Sequence, residues 1–126
     1  MKRIVSTYGK YFLEFYSILD KDLQEKIDWV FELVKTLDFI PKKYFQHLEN
    51  TDGLYEIRIE FKSNIYRIFC FFDEGNLVIL INAFQKNTQK TPTPEIELAK
   101  KLKKQYFIDK KLKAENEKGN RKNIKK

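Results

Sequence analysis

The sequence predicts a small α+β domain, in which an N-terminal helical hairpin packs on an antiparallel sheet of three to four strands and a C-terminal helix follows. Three observations support this prediction. Apolar residues recur at helical spacing in the first third of the chain, β-branched and aromatic runs fill residues 54–84, and a Pro-Thr-Pro segment then opens another helical pattern. A chain of 126 residues with 42% hydrophobic residues accommodates one such domain.

The N-terminal third carries two helical patterns. Residues 2–7 are β-branched enough for an edge strand, with a loop as the alternative. The apolar positions of the two patterns are Tyr8, Tyr11, Phe12, Phe15, Tyr16 and Leu19, and then Leu23, Ile27, Val30, Phe31, Val34 and Leu37. Each stripe marks one buried face, so we expect a hairpin of two helices laid on the sheet. Pro41 ends the second pattern, and a polar connector follows.

Two adjacent strands are predicted to hold two arginines side by side. Residues 54–61 and 65–72 are rich in aromatic and β-branched side chains, and only Lys62-Ser63-Asn64 separates them. This spacing predicts an antiparallel pair that carries Arg58 and Arg67 on neighbouring strands.

A third strand follows the turn signal at residues 73–76 and spans residues 77–84, with Lys86 and Lys90 just beyond its end. A small sheet that holds fixed cations is suited to a polyanion. The best-known uses of such cations are the positioning of phosphate and the stabilisation of a phosphoryl transition state.

The C-terminal region is predicted to begin as a helix and end as a tail. Thr93 and Pro94 suit the cap and first position of a helix, and apolar periodicity fades near residue 109. We therefore expect a folded domain over residues 1–108 and a basic, frayed or disordered tail over 109–126.

Most of the positive charge lies near the C-terminus. Residues 100–126 contain twelve basic and three acidic residues, whereas residues 1–99 contain thirteen and fifteen. Such a segment attracts phosphate backbones or an acidic partner, and a solvated helix face with a polar tail is the alternative.

Several classes of site are disfavoured by composition. The single cysteine, Cys70, lies within a predicted strand and allows no internal disulfide, which favours the reducing cytoplasm. One histidine and scattered carboxylates lack the spacing of metal ligands, and no glycine-rich loop suggests a nucleotide. No apolar run approaches the ~20 residues that span a bilayer. We therefore expect no metal, no cofactor and no membrane.

Three segments resemble a known family: GLYEIR at residues 53–58, YRIF at 66–69 and FQKNTQKTPTPEIE at 84–97. Through them the chain resembles the phage-derived HigB-like toxins of the RelE/ParE superfamily, which belong to type II toxin–antitoxin systems. The resemblance implies a RelE-like fold and a metal-independent endoribonuclease that cleaves messenger RNA on the ribosome through the RNA's own 2′-hydroxyl. It also implies two partners, a cognate helix-turn-helix antitoxin and the ribosome with its messenger RNA.

The resemblance also assigns roles to four cationic residues. Arg58 and Arg67 fall at active-site positions of the family, and Lys86 and Lys90 lie where the family places cationic contacts to RNA. We therefore expect Lys86 to act with the arginines in catalysis and Lys90 to bind the substrate. Without the resemblance, Arg58 would be interpreted as an exposed strand residue beside a glutamate, and each lysine as an ordinary solvated side chain. Arg67 lies in a strand that is apolar on both faces, where a guanidinium needs a partner.

His47, Tyr55 and Tyr66 complete the predicted site. An imidazole titrates near neutral pH, so His47 is the natural proton shuttle, with an inert surface histidine as the alternative. Tyr55 and Tyr66 flank the arginines and would stack on a base or orient a proton. Tyr66 would otherwise fill the core.

Departures from the family pattern leave alternatives open. Gln46 and Asn87 stand where relatives frequently have lysine, and no histidine follows His47. Proton transfer therefore falls to Tyr106, Lys90 or His47, or catalysis relies on electrostatics with the ribosome fixing the substrate. A ParE-like inhibitor of DNA gyrase and a non-toxic phage-derived RNA-binding module are the competing functions.

Overall fold

The computed structural model, which describes residues 2–86 and 92–124, contains a five-stranded sheet with helices on both faces. The strands are β1 (Ile4–Thr7), β2 (Phe45–His47), β3 (Tyr55–Phe61), β4 (Asn64–Asp73) and β5 (Leu77–Lys86). The helices are α1 (Tyr11–Ser17), α2 (Lys21–Thr36) and α3 (Thr93–Ile124). The predicted α+β class is confirmed.

The sheet has more strands than the sequence predicted. Its order is β1-β5-β4-β3-β2, with β1 parallel to β5 and every other neighbouring pair antiparallel. The edge strand expected within residues 2–7 is present as β1. The prediction of three to four strands is corrected to five in the described residues, because β2 also pairs with β3. With three residues in a polar connector, β2 is too short to show an alternating pattern.

Both faces of the sheet are buried, and each is covered by different helices. On one face, Ile57, Ile59 and Ile68 pack with apolar residues of α1 and α2. On the other, Phe69 and Phe71 pack with Leu48, Leu54, Ile79, Ile81, Ala99 and Leu102, the last two from α3. Because successive strand residues point to opposite faces, β4 contributes to both clusters in turn. Burial on both faces explains why its apolar run is nearly continuous.

The predicted N-terminal hairpin describes only one side of this arrangement. Helix α1 contacts mainly β5, whereas α2 contacts β3 and β1, so the two helices cover the face side by side. They touch through the rings of Phe12 and Phe31, 5.6 Å apart, and through a hydrogen bond from Tyr16 to Asp28. Helix α3 covers the opposite face. The apolar stripes identified the buried side of each helix but carried no information about which face of the sheet it covers.

A buried carboxylate at the end of β4 anchors α3. Asp73 is 4% exposed and accepts hydrogen bonds from the Tyr106 hydroxyl at 2.6 Å and from Lys110 Nζ at 2.9 and 3.0 Å. The Tyr8 hydroxyl donates a hydrogen bond to Asp109, which lies about one helical turn after Tyr106 on α3. The helix continues to Ile124, beyond the point where its apolar periodicity fades, and the predicted division at residue 108 stays a prediction. Among the described residues, every helix is too short or too polar to cross a membrane.

The Asp73 anchor should make stability depend on pH in the acid range. Burial alone would raise the pKa of Asp73, but the hydrogen bonds from Tyr106 and Lys110 outweigh it and the pKa lies below its ordinary value of 3.8. Asp73→Asn should therefore lower the free energy of unfolding by about 2 kcal/mol at neutral pH. A carboxylate with a lowered pKa stabilises above its unfolded pKa and stops doing so as pH falls through its folded pKa. Urea unfolding across pH should show the difference between the two proteins vanish in acid; a constant difference would contradict the anchor.

Candidate functional site

Arg58 and Arg67 lie directly opposite each other on β3 and β4. The sequence neighbours of Arg67 on β4 pack on the face covered by α1 and α2, as do Ile57 and Ile59 beside Arg58. Alternation along the strands therefore directs both arginines to the face that α3 partly covers. The predicted antiparallel pair is confirmed, and its register places two guanidinium groups in one row across the sheet.

A buried ion pair holds Arg67. Its Nε lies 3.1 Å from Oε2 of Glu56, which is within ion-pair distance although the two atoms are not aligned as a hydrogen bond, and the two side chains are only 8% and 1% exposed. The second oxygen, Oε1 of Glu56, accepts a hydrogen bond from Gln46 Nε2 at 2.8 Å. Glu56 is thus a member of the site that the sequence reasoning treated only as a neighbour of Arg58. The available signal was its alternate position on β3, which places a carboxylate on the same face as both arginines.

Arg58 is more accessible than Arg67 and pairs with a different acid. Its Nη2 lies 3.0 Å from Oε1 of Glu60, which is half-exposed. The glutamate of the alternative interpretation of Arg58 is therefore present as Glu60, two residues along the same strand. Among the described residues, none accepts a hydrogen bond from Arg58 Nε, which is buried. On this face of the sheet, β3 thus presents Glu56, Arg58 and Glu60 in turn, so that the arginine lies between two carboxylates.

Lys86 adds a third cation to the same face. It ends β5 and pairs in register with Ile65, two residues before Arg67. Burial lowers the pKa of Lys86 below its ordinary value, and the charges of Arg67 and Arg58 lower it further, against a smaller opposing effect of Glu56. The three cations therefore repel one another, and a bound phosphate would relieve that repulsion.

A groove opens beside the ion pair. It has a volume of about 280 Å³ and is lined by Gln46, His47, Leu48, Glu49, Glu56, Arg67 and Ile96. His47 borders this groove on the edge strand β2, but its ring contacts that of Tyr55 at 5.2 Å. Tyr55 packs with the cluster under α1 and α2. The imidazole therefore lies toward the face opposite the arginines.

The two predicted tyrosines are also separated from the arginines. Tyr55 stacks on Phe45 and contacts Phe72, and Tyr66 is buried in the core beside Phe15. The expectation that they flank the arginines is corrected, because Tyr55 is three residues from Arg58 and Tyr66 is one residue from Arg67. Residues an odd number of positions apart on a strand point to opposite faces. Tyr66 fills the core, which was its alternative interpretation.

Other predicted positions have different outcomes. Lys90 and Asn87 lie outside the described residues, so the contribution of Lys90 stays a prediction. Gln46 donates to Glu56 within the groove. Tyr106 is bound to Asp73, six residues along β4 from Arg67 and hence about 20 Å away. In the part of the chain that the structure describes, no group of three or more His, Cys, Asp or Glu side chains is arranged to hold a metal.

Comparison with known proteins identifies a family and a fold. The family model described as "Phage derived protein Gp49-like" matches residues 14–104, a span that includes Arg58, Arg67 and Lys86. Among solved structures, the chain resembles one in the crystal structure of the archaeal RelE-RelB complex from Pyrococcus horikoshii OT3. The TM-score is 0.52 at 13% identity, and the match covers 69% of this chain and 98% of that chain. No curated protein sequence matches the chain. The predicted RelE-like fold is confirmed, whereas the HigB-like assignment stays a prediction.

The Glu56–Arg67 pair should be strongly coupled energetically. Glu56→Gln keeps the shape and the hydrogen bond from Gln46 but leaves a buried guanidinium without its carboxylate, which should cost about 3 kcal/mol of unfolding free energy. Glu56→Gln combined with Arg67→Met should cost much less than the two single changes together. Urea unfolding of the four proteins gives the coupling energy.

The matched control for this cycle is Glu60→Gln, which removes the partly exposed partner of Arg58 on the same strand. It should cost less than about 1 kcal/mol. If Glu56→Gln costs no more than Glu60→Gln, the ion pair is not the constraint described here.

Proposed function

Because the chain belongs to the family of phage-derived Gp49-like proteins, we propose that it is the toxin of a type II toxin–antitoxin system. We further propose that it cleaves messenger RNA on the ribosome without a metal. The RelE fold, the family and the cation cluster support this proposal together, since a fold alone serves several functions. The single observation that carries it is the row of Arg58 and Arg67 on adjacent strands, with Lys86 beside them.

The proposed reaction uses the RNA's own 2′-hydroxyl as nucleophile. The 2′-oxygen attacks the adjacent phosphorus while its proton passes to a base, and the 5′-oxygen leaves as it takes a proton from an acid, giving a 2′,3′-cyclic phosphate. Negative charge grows on the non-bridging oxygens as the fifth bond forms. Arg58 and Arg67 would stabilise that charge, because a guanidinium stays protonated and binds two phosphate oxygens at once.

Glu56 contributes by holding Arg67 in place. A buried guanidinium fixed by a carboxylate has little freedom to reorient, so its charge is already positioned when substrate arrives. Electrostatic stabilisation is most effective when the donors need not rearrange during the reaction. Glu56 is therefore proposed as a positioning residue that acts through Arg67.

Lys86 is the candidate acid within the cluster. A lysine whose pKa is lowered gives up its proton more readily than an ordinary lysine, and Lys86 lies on the same face as both arginines. Tyr106 is a poor candidate, because burial and its hydrogen bond to Asp73 raise its pKa to about 12 and it lies at the far end of β4. His47 and Lys90 stay open as alternatives for the base. If His47 is the base, Tyr55 would orient its imidazole, because the two rings are in contact.

The proposed partners follow from the same assignment. The antitoxin encoded with such a toxin would carry a helix-turn-helix domain, and the ribosome would present the messenger RNA. Helix α3 exposes Phe107, Ile108 and Leu112 among many lysines, which suits an acidic segment with apolar side chains. A ParE-like gyrase inhibitor is less well supported, because it requires no cluster of phosphate-binding cations on the sheet.

Removal of either arginine should abolish toxicity. Arg58→Ala and Arg67→Ala should each slow RNA cleavage about a hundredfold, since each deletes a charged donor to the transition state. Growth after induction and cleavage by purified protein on translating ribosomes both measure this. Lys42→Ala, which removes an exposed lysine outside the cluster, is the control and should stay toxic.

The Arg67 variant needs a control for folding, because truncation leaves the buried Glu56 carboxylate without its cation. The double variant Glu56→Gln/Arg67→Met removes the same cation together with its carboxylate, and is therefore expected to stay folded. Full toxicity in this double variant, or in folded Arg58→Ala, would remove that arginine from the site.

The proposed role of Lys86 as acid predicts the pH dependence of cleavage. The protonated amine is the active form, so the rate should fall as pH rises through a pKa that lies below the ordinary lysine value. Lys86→Arg keeps the positive charge but releases no proton in this range, so the alkaline limb should disappear and the rate should drop. His47→Gln should keep the alkaline limb. An alkaline limb unchanged in Lys86→Arg would exclude Lys86 as the acid.

A further inference from the structure

A small basic pocket lies where the edge of β3 is left open. Strand β2 pairs only with residues 55–57, and the last contact is the hydrogen bond from the Arg58 amide to the Tyr44 carbonyl. Beyond it, Lys26, Lys43, Tyr44, Arg58 and Glu60 enclose a pocket of about 110 Å³. Arg58 therefore borders both this pocket and the cation cluster, and it connects the two around the sheet edge.

Two aromatic side chains stand beside this pocket with lysines over them. Trp29 is 48% exposed, and its ring meets that of Tyr44 edge-on at 5.8 Å. Lys26 Nζ lies 4.7 Å from the centre of the Trp29 ring, and Lys43 Nζ lies 5.6 Å from that of Tyr44. Among residues 2–86 and 92–124, neither lysine forms an ion pair with a carboxylate. Glu60, the acid in the pocket wall, is already paired with Arg58.

We propose that Lys26, Trp29, Lys43, Tyr44 and Arg58, here called the edge surface, bind a single-stranded RNA segment that flanks the cleaved bond. A base stacks on Trp29, and the neighbouring phosphates contact Lys26, Lys43 and Arg58. This inference rests on the proposed function, because the strand reaches the edge surface from the cation cluster by way of Arg58. It adds a substrate subsite on the opposite side of the sheet edge from the groove beside Arg67.

The chemistry of the edge surface favours a single strand over other occupants. Unstacked bases bind exposed aromatic rings without regard to sequence, and unneutralised lysines beside those rings attract the backbone. A duplex keeps its bases stacked and would leave Trp29 unused. A protein partner would meet the lysines with carboxylates, and the experiment below separates that outcome from RNA.

Trp29 reports directly on its own contact, because it is the single tryptophan of the chain. The probe is an oligoribonucleotide of about eight nucleotides with 2′-O-methyl sugars, which cannot attack its own phosphates. Stacking should quench the tryptophan emission over the same concentration range in which the anisotropy of a labelled oligonucleotide rises. Anisotropy that rises without quenching, or no binding at all, would overturn the proposal. Quenching by polyglutamate but not by RNA would overturn it in favour of an acidic protein partner.

Variants separate stacking from charge. Trp29→Ala should weaken binding about tenfold, with the salt dependence unchanged, and Trp29→Phe should restore most of the affinity. Phe39→Ala, which removes another highly exposed ring, should have no effect. Lys43→Ala should reduce the slope of log affinity against log salt by about 0.7, whereas its neighbour Lys42, outside the pocket, should leave the slope unchanged when replaced by Ala.

Failure of this inference can be distinguished from failure of the proposed function. If RNA quenches the Trp29 emission but the protein neither cleaves messages nor inhibits growth, the proposed function is wrong and RNA binding by the edge surface is retained. If it cleaves messages and Trp29→Ala binds RNA as tightly as the unchanged protein, the edge surface fails and the cation cluster stands.

Discussion

A guanidinium and a carboxylate that are both removed from water, as Arg67 and Glu56 are, must be held together by the sheet, because either charge alone would be strongly destabilising. This constraint ties the register of β3 and β4 to the site. A slip of one residue would move Arg67 into the core under α1 and α2 and Tyr66 into its place. The register that buries the ion pair is also the one that sets Arg58 opposite Arg67. The stability of the sheet and the geometry of the cations therefore depend on the same register of β3 and β4.

Two glutamates neutralise part of the positive charge of the cluster, and a net positive charge remains. Glu56 and Glu60 each pair with one arginine, and the pKa of Lys86 is lowered by burial and then by the charges of Arg67 and Arg58. A phosphate that binds there would gain from all three cations and relieve their mutual repulsion. In the proposed function, the basic α3 and the lysines of the edge surface would add longer-range attraction for RNA and so raise the rate of encounter. The proposal thus assigns the chemistry to Arg58, Arg67 and Lys86, and the recruitment of RNA to the lysines around them.

The sequence predicted those parts of the fold that depend on local patterns. The short connection between the two central strands determined their antiparallel pairing, and with it the neighbourhood of Arg58 and Arg67. The sequence did not predict β2, whose three residues form a strand only because β3 offers an edge. It also did not predict the pairing of Arg67 with Glu56, since a long-range partner is not visible in the periodicity of either strand. Tyr55 and Tyr66 lie close to the arginines in sequence but on the opposite face of the sheet, because side chains alternate between the faces along a strand.

The central claim is that the cation cluster cuts messenger RNA during translation. Primer extension on a translated message, after induction of the protein in cells, tests it most directly. Cells with the unchanged protein should show new 5′ ends that follow the reading frame, and cells with Arg58→Ala should lack them. Intact messages accompanied by DNA damage would contradict it in favour of gyrase inhibition. Intact messages and undamaged DNA, with the protein present and folded, would contradict any toxic activity of this site.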